Sequence, residues 1–526
     1  SQTSGYTAQF SLNASPDNLD PIIFEDNTIN FDDANNAGHG ILVMQSNRDI
    51  TIRNCTFRHV FKGEDPYWAS TIIADKFRNV VIEDCKFNDC GINKAGNVIC
   101  IYTQVTKCRI ENCNIYFSIL GENTCGSAVS SYIDNMQIIG NTFERCNTNS
   151  LRIDKGNSGD QFELVNNYFK GCDRGDIIGF INKLSRTPII QGNIFEKNTN
   201  GRAFIFKCDS NVGSIIFENN TFKEHKCNSG GFGGDIYADN KAIDITFLDC
   251  KFIDNEQGTN GGGFNCNDNL KQYKITFTGC TFSNNKANGN GGALFLNSNQ
   301  ENTITGCTFE GNTANSREGG AIYVNNQKVT ISKCTFSQNK ASTGQAICVG
   351  NVDAQIIINQ ESSFISNMNE EVTNDQYMIV LRNADIELAN VEFRCPSVNG
   401  KQSYPILFES SSQTKANFQN VASHDSPLLV IPSAQTNFVP LSSLSFLNCQ
   451  GNEFIIQNFN PNFEITDSVI QYDNGATNTF GGIQILSIGS ASIINTRFIN
   501  VNKDSIINYN HANKATSDNS LKIEGC

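Results

Sequence analysis

A repeat of about 27 residues runs through most of this chain and constrains its fold more than any other feature. It is clearest where Cys-Thr-Phe recurs at residues 280–282, 307–309 and 334–336. The same phase continues backwards to Phe57 and forwards through Phe393, Phe446 and Phe498. A unit this short cannot bury its own apolar side chains, so it must stack on its neighbours. The repeat predicts one solenoid rather than several globular domains.

Each repeat predicts three short β-strands. The first strand is Cys-Thr-Phe, whose alternation places Cys and Phe inward and Thr outward. The second strand follows a pair of glycines, as in Gly319-Gly320-Ala321-Ile322, and the third is a β-branched run such as Val329-Thr330-Ile331. Hairpins would need antiparallel neighbours and a shorter period. We therefore expect an all-β fold, a single right-handed parallel β-helix of about 17 coils with three strands per coil.

The regularity of the repeat divides the chain into three regions. Residues 1–45 are expected to form an N-terminal coil or cap, and residues 46–370 the regular coils. In residues 371–526 the double glycine is mostly lost while Pro and Ser increase, which predicts degenerate coils. The last residues, Leu521 to Cys526, resemble a third strand followed by the Cys of a next coil. We therefore expect the mature protein to continue beyond them.

Two columns of small polar side chains should follow from the repeat. The Asn three residues after Phe is expected to form a ladder at a bend, where Asn tolerates a left-handed backbone and hydrogen-bonds along the stack. This ladder comprises Asn198, Asn255, Asn285, Asn312, Asn339 and Asn367. The Cys that opens the first strand should form a second ladder of Cys250, Cys280, Cys307 and Cys334.

Twenty cysteines, an even number, suggest disulfides and a secreted protein. However, in-register strands lie about 4.8 Å apart, and stacked Cβ atoms do not converge to the roughly 3.8 Å that a disulfide prefers. Buried free thiols acting as small apolar groups are therefore favoured for the Cys ladder. Cross-links between other columns, or to another chain, remain open alternatives.

Two tetrapeptides alternate in this repeat, FxxN and GGA[ILY]. The first occurs at Phe195–Asn198, Phe252–Asn255, Phe282–Asn285, Phe309–Asn312, Phe336–Asn339 and Phe364–Asn367. The second occurs at residues 291–294 and 319–322, with looser forms at 233–236 and 261–264. Together they resemble the polymorphic outer-membrane protein family, with its pectin-lyase-like β-helix. The resemblance implies a surface-displayed, adhesin-like rod, and the Asn- and Ile-rich composition suggests a protist, ciliate-like relative.

Composition excludes several classes of partner. The net charge of −14 and the absence of a basic cluster argue against nucleic acid. No run approaches the roughly 18 apolar residues of a membrane-spanning helix. The five histidines are scattered, and no metal-ligand spacing, cofactor motif or nucleophile triad is present. We therefore expect no cofactor or metal.

An enzyme remains an alternative, because parallel β-helices also serve as polysaccharide lyases and hydrolases. Arg152, Asp154, Asp173, Arg174 and Asp176 fall on adjacent coils and could gather for carboxylate chemistry. The competing interpretation is that they are ordinary solvated turn residues. A superficial GHG element at residues 38–40 has the wrong order and spacing for a polygalacturonase.

Two surface features complete the sequence predictions. Tyr237, Phe295 and Tyr323 share an outward phase in the second strand and predict a solvent-facing aromatic column for sugars or proteins. The alternative is that a loop covers this column or that the phase is shifted by one residue. Asn54 and Asn219 lie in N-x-T triplets and should point outward, as candidate glycosylation sites.

These observations favour a secreted or cell-surface rod with a structural or adhesive role and no catalysis. Its expected partners are proteins or glycans at the cell surface, or further copies of the chain or other subunits in a filament or particle. A carbohydrate-active enzyme is the alternative function.

Overall fold

In a computed structural model of the chain, all regular elements of the described residues are β-strands. The structure describes residues 20–30, 41–43, 48–58, 70–90, 97–102, 105–117, 127–133, 135–146, 149–153, 162–171, 177–184, 186–199, 204–208, 212–227, 235–238, 243–266, 272–325, 328–350, 354–366, 376–382, 384–409, 415–431, 441–451, 454–460, 462–472, 481–486, 490–501, 506–509 and 520–526. They fall into two compact units, Ser1–Glu256 and Gln257–Cys526. The predicted all-β parallel solenoid with three strands per coil is confirmed.

In the first unit the three strands of each coil form three parallel columns. The third strands are Ile22–Glu25, Asp49–Arg53, Asn79–Glu83, Lys107–Glu111, Met136–Ile139, Glu163–Val165, Ile189–Gln191, Ser214–Glu218 and Asp244–Leu248. The first strands are Thr28–Asn30, Thr56–Arg58, Lys86–Asn88, Asn114–Tyr116, Thr142–Glu144, Tyr168–Lys170, Ile194–Glu196, Thr221–Lys223 and Lys251–Ile253. The second strands are Ile41–Val43, Ser70–Ala74, Asn97–Ile101, Ser127–Ser131, Asn149–Ile153, Ile178–Leu184, Phe204–Cys208 and Asp235–Ala238.

The second unit repeats this plan. Its third strands are Ile275–Thr278, Asn302–Thr305, Lys328–Ser332 and Ala354–Asn359, and its first strands are Thr281–Ser283, Thr308–Glu310, Thr335–Ser337 and Ser362–Ile365. In Ala384–Arg394 and Ala416–His424 the third and first strands are continuous. The second strands are Phe264–Asn265, Leu294–Leu296, Ile322–Val324, Ile347–Val349, Gln376–Leu381, Lys401–Phe408, Leu429–Ile431, Phe454–Asn458, Gly481–Ile485 and Ile507–Tyr509.

The remaining strands are short additions or belong to the last coils. Two-residue strands follow the first strand at Lys226–Cys227, Glu256–Gln257, Lys286–Ala287 and Thr313–Ala314. Ser397–Val398 pairs antiparallel with the start of Lys401–Phe408. The last coils contain Leu441–Ser442, Leu444–Leu447, Asn462–Thr466, Val469–Gln471, Ser490–Ile494, Arg497–Ile499 and Ser520–Glu524.

The core of each unit is built from columns of identical side chains. Phe282, Phe309 and Phe336 are fully buried, and consecutive rings stack 4.8 Å apart and nearly parallel. The Thr between Cys and Phe points outward, as at Thr308 between Cys307 and Phe309. Because like residues pair with like, every coil buries apolar area that a single coil could not.

The Phe column does not continue as the sequence predicted. Phe393 pairs with Ser423, so the first-strand Phe column stops there. Phe446 instead pairs with Phe418, which itself pairs with Leu388 of the third-strand column. Leu444–Leu447 then pairs on its other side with Val469–Gln471, and Ile470 pairs with Phe498. The prediction that Phe446 and Phe498 extend the Phe393 column is therefore wrong, because the strand pairing shifts by one strand at this coil.

The coil number differs somewhat from the expectation of about seventeen. Among the described residues, eighteen strands occupy the third-strand column, nine in each unit. This count includes the three shifted strands Leu444–Leu447, Val469–Gln471 and Arg497–Ile499. The proposed boundaries at residues 45 and 370 stay predictions.

Candidate interaction surface

Two bends per coil position the Asn and Cys columns. One bend separates the third strand from the first and the other follows the first strand. In both, one residue has a positive φ, such as Lys333 (53°) at the first bend and Gln338 (55°) at the second. The sequence assigned the left-handed conformation to the ladder Asn, whereas the structure assigns it to the residue before, as Gln338 precedes Asn339. The ladder Asn can then turn inward.

The Asn ladder of the second unit is buried and hydrogen-bonded from coil to coil. The backbone N–H of Asn285 donates to Asn312 Oδ1 at 3.0 Å, and that of Asn312 donates to Asn339 Oδ1 at 3.1 Å. The Nδ2 of Asn312 also donates to the carbonyl of Phe282 at 2.9 Å. Each side chain therefore satisfies backbone groups that the bend removes from the strand ladder. Asn367 lies outside the described residues.

In the first unit His225 occupies the Asn column between Asn198 and Asn255, and all three are buried. The backbone N–H of Asn198 donates to His225 Nδ1 at 3.2 Å, and the N–H of His225 donates to Asn255 Oδ1 at 3.1 Å. Burial lowers the pKa of His225 to about 3. The imidazole is therefore neutral in the folded chain at any ordinary pH and serves the ladder as an acceptor.

His225 should make the stability of the chain depend on pH. In the unfolded chain the imidazole of His225 has a pKa near 6.5 and takes up a proton below that pH, whereas in the folded chain it stays neutral. Lowering the pH therefore favours the unfolded state. Relative to His225→Asn, the free energy of unfolding of the natural chain should fall by about 2 kcal/mol between pH 7.5 and pH 5. Urea unfolding of both proteins across this range measures the difference. Parallel pH curves would contradict the prediction.

A second Asn ladder escaped the sequence analysis. Asn141, Asn167, Asn193 and Asn220 occupy the Cys column of the first unit, and each is buried. The backbone N–H of Asn141 donates to Asn167 Oδ1 at 2.9 Å, and the two following steps repeat this bond at the same distance. The signal was present in the sequence as Asn-x-Phe, with Asn where other coils carry Cys.

The Cys ladder residues are free thiols in the structure. Cys280, Cys307 and Cys334 are buried, and each backbone N–H of the first two lies 3.4 Å from the sulfur of the next coil. Cys250 occupies the same position in the first unit. Elsewhere, burial raises the pKa of the Cys395 and Cys449 thiols to about 12. Such thiols stay protonated and are poor nucleophiles.

The predicted acidic cluster falls mostly outside the described residues. Asp154, Asp173, Arg174 and Asp176 lie there, and only Arg152 is described. Arg152 is half-buried on Asn149–Ile153 and pairs in register with Ser130 and Gly179. The catalytic hypothesis for these residues therefore stays a prediction. Among the described residues no group of three His, Cys, Asp or Glu side chains could hold a metal ion.

Asn54 and Asn219 occupy the same position in their coils. Both are exposed, with φ of 51° and 53°, at the bend between the third and first strands. Each is followed two residues later by an outward Thr of the first strand. The placement is compatible with a glycan, and both remain proposed glycosylation sites.

The aromatic column predicted to face solvent forms a small core of its own. Phe295 and Tyr323 are stacked with ring centroids 5.5 Å apart, on the outward side of the second strands. Tyr323 is 8% exposed and packs with Cys348, Val380 and Leu407, which follow it in register. The column therefore lies on the outer side of the second strands, where Tyr323 is buried and Phe295 is half-exposed. Tyr237 belongs to a strand whose side-chain positions lie outside the description.

An ion-pair cluster lies near this aromatic column, and a glycine packs against it. Arg382 Nη1 lies 2.7 Å from Glu318 Oε1 and its Nε lies 2.5 Å from Glu409 Oε2. Burial alone would lower the pKa of Arg382, but the hydrogen bonds with both carboxylates raise it. A Cβ at Gly350 would lie 1.7 Å from the Tyr323 hydroxyl oxygen, so the ring packs directly against that backbone. From the sequence alone, the contact between Gly350 and the Tyr323 ring could not be predicted.

The outer face of the first unit exposes apolar side chains instead. Ile189, Ile194 and Ile216 are 36%, 37% and 41% exposed. Ile189 pairs with Ile216 on adjacent third strands, and Ile194 pairs with Tyr168 on adjacent first strands. We call these four residues, together with the half-buried Val165, the isoleucine face. The sequence analysis did not predict it, because it placed outward apolar side chains only in the second strand.

A charged cluster borders the isoleucine face. Tyr168 Oη donates to Glu196 Oε2 at 2.5 Å, and Lys223 Nζ lies 3.0 Å from the same oxygen. Lys197 Nζ lies 3.3 Å from Glu196 Oε1. Burial alone would raise the pKa of Glu196, but the hydrogen bonds from Tyr168, Lys223 and Lys197 lower it to about 2. Glu196 is therefore an ionised, nearly buried carboxylate at every ordinary pH.

Comparison with known proteins supports the repeat assignment. The repeat model of the Chlamydia polymorphic membrane proteins matches residues 279–297 and 306–325. Among solved structures, the PL6 family alginate lyase AlyGC is similar with 10% identity and a TM-score of 0.31, over 98% of this chain and 99% of that one. A mutant of the same lyase has 11% identity and a TM-score of 0.26, over 98% and 100%. The comparison with curated proteins gave no match.

The family match identifies the repeat and leaves the rest of the chain unassigned. It covers two consecutive coils, each containing one FxxN segment and one double glycine. In the part of the chain that the structure describes, no helix is long and apolar enough to span a membrane.

Proposed function

We propose that the chain is a surface-displayed β-solenoid with a structural or adhesive role and no catalytic function. The match of two coils to a repeat of polymorphic membrane proteins supports a surface location. Extracellular proteins or glycans are the proposed partners, and secretion is the proposed route.

The observation that carries this proposal is the division between inward and outward side chains in the matched coils. Phe309, Asn312 and Cys307 are fully buried and serve the stack, as their hydrogen bonds and ring contacts show. The outward positions carry Thr308 and Glu310, which the fold does not constrain in this way. A solenoid of this kind provides a long scaffold whose outer face is free to vary, as an adhesive or structural surface requires.

A surface location is tested by labelling intact cells that express the chain with a membrane-impermeant biotin reagent. We expect labelling of the intact cells equal to that of lysed cells, since exposed lysines such as Lys251 should be accessible. A cytosolic protein of the same cells is the control. Labelling only after lysis would contradict the proposal.

The non-catalytic part of the proposal is tested separately. The purified chain is incubated with acidic polysaccharides, including alginate and polygalacturonate, and the release of reducing ends is measured. We expect no release. Depolymerisation that Asp154→Ala or Asp176→Ala abolishes would establish the carbohydrate-active alternative instead.

A further inference from the structure

We propose that the isoleucine face of the first unit is the docking site for a second copy of this chain, related by a two-fold axis. Isolated exposed apolar residues are normal on proteins, but a contiguous apolar patch marks an interaction site. Ile189 and Ile216 are neighbours on adjacent third strands, Ile194 and Tyr168 are neighbours on adjacent first strands, and the bend at residues 192–193 joins the two pairs.

The fold itself does not require isoleucine at these positions. In the second unit the positions that correspond to Ile189 and Ile216 carry Thr303 and Thr330. The position that corresponds to Ile194 carries Thr308. Thr is also the neighbour of Ile194 in the next coil, at Thr221. Since Thr suits a solvated strand equally well, the apolar side chains at this face need another explanation, which a buried contact provides.

The charges beside the face point to the second copy. Glu144, Lys170, Glu196 and Lys223 follow one another in register on the outward side of the first strands. Their charges alternate along the row, so one end is negative and the other end is positive. A copy rotated about an axis parallel to the strands, between Lys170 and Glu196, therefore presents Lys223 to Glu144 and Glu144 to Lys223.

The exposure of these side chains shows which of them make the intermolecular pairs. Glu196 has a side chain only 8% exposed and is occupied by Lys223, Lys197 and Tyr168. Glu144 and Lys223, at the ends of the row, are 32% and 33% exposed. Lys170 is 36% exposed, but the residue it would face across the axis is the occupied Glu196. We expect these ends to pair between copies, while Tyr168 and Ile194 lie next to the axis and pack against Ile194 and Tyr168 of the second copy.

The size of the face sets the expected affinity. Four strands spaced about 4.8 Å apart and eight residues of about 3.3 Å each cover on the order of 500 Å², divided between the two sides of the bend. Two copies then bury roughly 1,000 Å², which is at the low end of specific interfaces. The dimer should therefore dissociate in the micromolar range, in contrast to an obligate dimer.

The proposal is tested by sedimentation velocity of the full chain from about 1 to 100 µM. We expect the natural chain to convert from monomer to dimer across this range. The triple variant Ile189→Thr, Ile194→Thr, Ile216→Thr should stay monomeric at the highest concentration. Ile365→Thr, which removes a 40% exposed isoleucine of the second unit, is the matched control and should dimerise normally. Circular dichroism of each variant verifies that it is folded.

The two-fold arrangement is tested by exchanging the end charges. Glu144→Lys or Lys223→Glu alone places like charges across the axis and should weaken the dimer about tenfold. The double variant restores opposite charges between copies, although not within one copy, and should recover dimerisation. A monomer at 100 µM, a triple variant that dimerises like the natural chain, larger open oligomers, or failure of the double variant to recover would each overturn the proposal. A monomer would leave the surface role intact, since surface labelling measures that role independently.

Discussion

Replacing Gly320 with alanine is expected to lower the free energy of unfolding by about 3 kcal/mol or more. Gly320 is the second glycine of a GGAI segment, and the next coil passes directly over it. A Cβ on Gly320 would lie 2.1 Å from the carbonyl oxygen of Gln345 and 2.8 Å from backbone atoms of Lys340. Because both neighbours are backbone, the clash can be relieved only by separating the two coils.

The same contact explains why the second glycine of the pair recurs, whereas the first, such as Gly319 with a φ of 69°, has a left-handed backbone. At Gly262 and Gly292 a Cβ would lie 2.2 Å and 2.1 Å from the carbonyl oxygens of Gly292 and Gly320. The second glycine therefore allows each coil to lie close to the next one. Steric contact between coils, rather than backbone flexibility, keeps this position as glycine.

Gly213→Ala is the matched control for Gly320→Ala. No heavy atom lies within 4 Å of a Cβ at Gly213, and its φ is not in the left-handed region. Its free energy of unfolding should stay the same or rise by about 0.5 kcal/mol, because alanine restricts the unfolded chain. Urea unfolding midpoints of the two variants and the natural chain give the comparison. Equal effects of both substitutions would mean that the coil contact at Gly320 is not tight.

The sequence predicted the stacked columns because the repeat fixes both the spacing and the direction of a side chain. Phe309 and Phe336 are one period apart, so parallel pairing in register stacks their rings. The inward direction of Cys307 followed from strand alternation alone. No knowledge of distant contacts was needed for these features.

Other features depend on the third dimension and could not be predicted in the same way. Alternation placed Tyr323 on the outer side correctly, but whether an outer residue is covered depends on how other parts of the chain pack there. Gly350 packs against the Tyr323 ring and contributes to that cover. The shift at Phe446 was hidden for a related reason, since a Phe fits either the first- or the third-strand column. Cys449, three residues after Phe446 as Cys334 follows Ile331, was the available signal.

The isoleucine face illustrates a different limit of sequence analysis. Residues 189, 194 and 216 are separated along the chain, and each one alone resembles an ordinary β-former in a strand. Only the register places Ile189 beside Ile216, and Ile194 beside Tyr168 on the strands that carry the alternating row of Glu144, Lys170, Glu196 and Lys223. Register is therefore the information that converts scattered residues into a candidate surface.

Replacing Asn312 with alanine is expected to cost about 4 kcal/mol of stability. Its Oδ1 accepts hydrogen bonds from the backbone N–H and the side-chain Nδ2 of Asn285, each at 3.0 Å. Its own Nδ2 donates to the Phe282 carbonyl at 2.9 Å and to Asn339 Oδ1 at 3.0 Å. Alanine would remove all of these contacts at once. Each buried group left unpaired costs roughly 1–3 kcal/mol, and the Asn285 backbone N–H and the Phe282 carbonyl both lose the bond to Asn312.

Asn315→Ala is the matched control for Asn312→Ala, because it removes an exposed asparagine that is not part of the buried ladder. Asn315 donates to Asn288 Oδ1 at 2.9 Å, but this bond is exposed and water can replace it. Its removal should change the free energy of unfolding by less than about 0.5 kcal/mol. Hydrogen exchange adds a local test, since the amide of Asn285 should lose protection in Asn312→Ala and keep it in Asn315→Ala. If the two variants unfolded at the same urea concentration, the Asn ladder would contribute no more than a surface bond, and the columns of Phe and Ile alone would hold the coils in register.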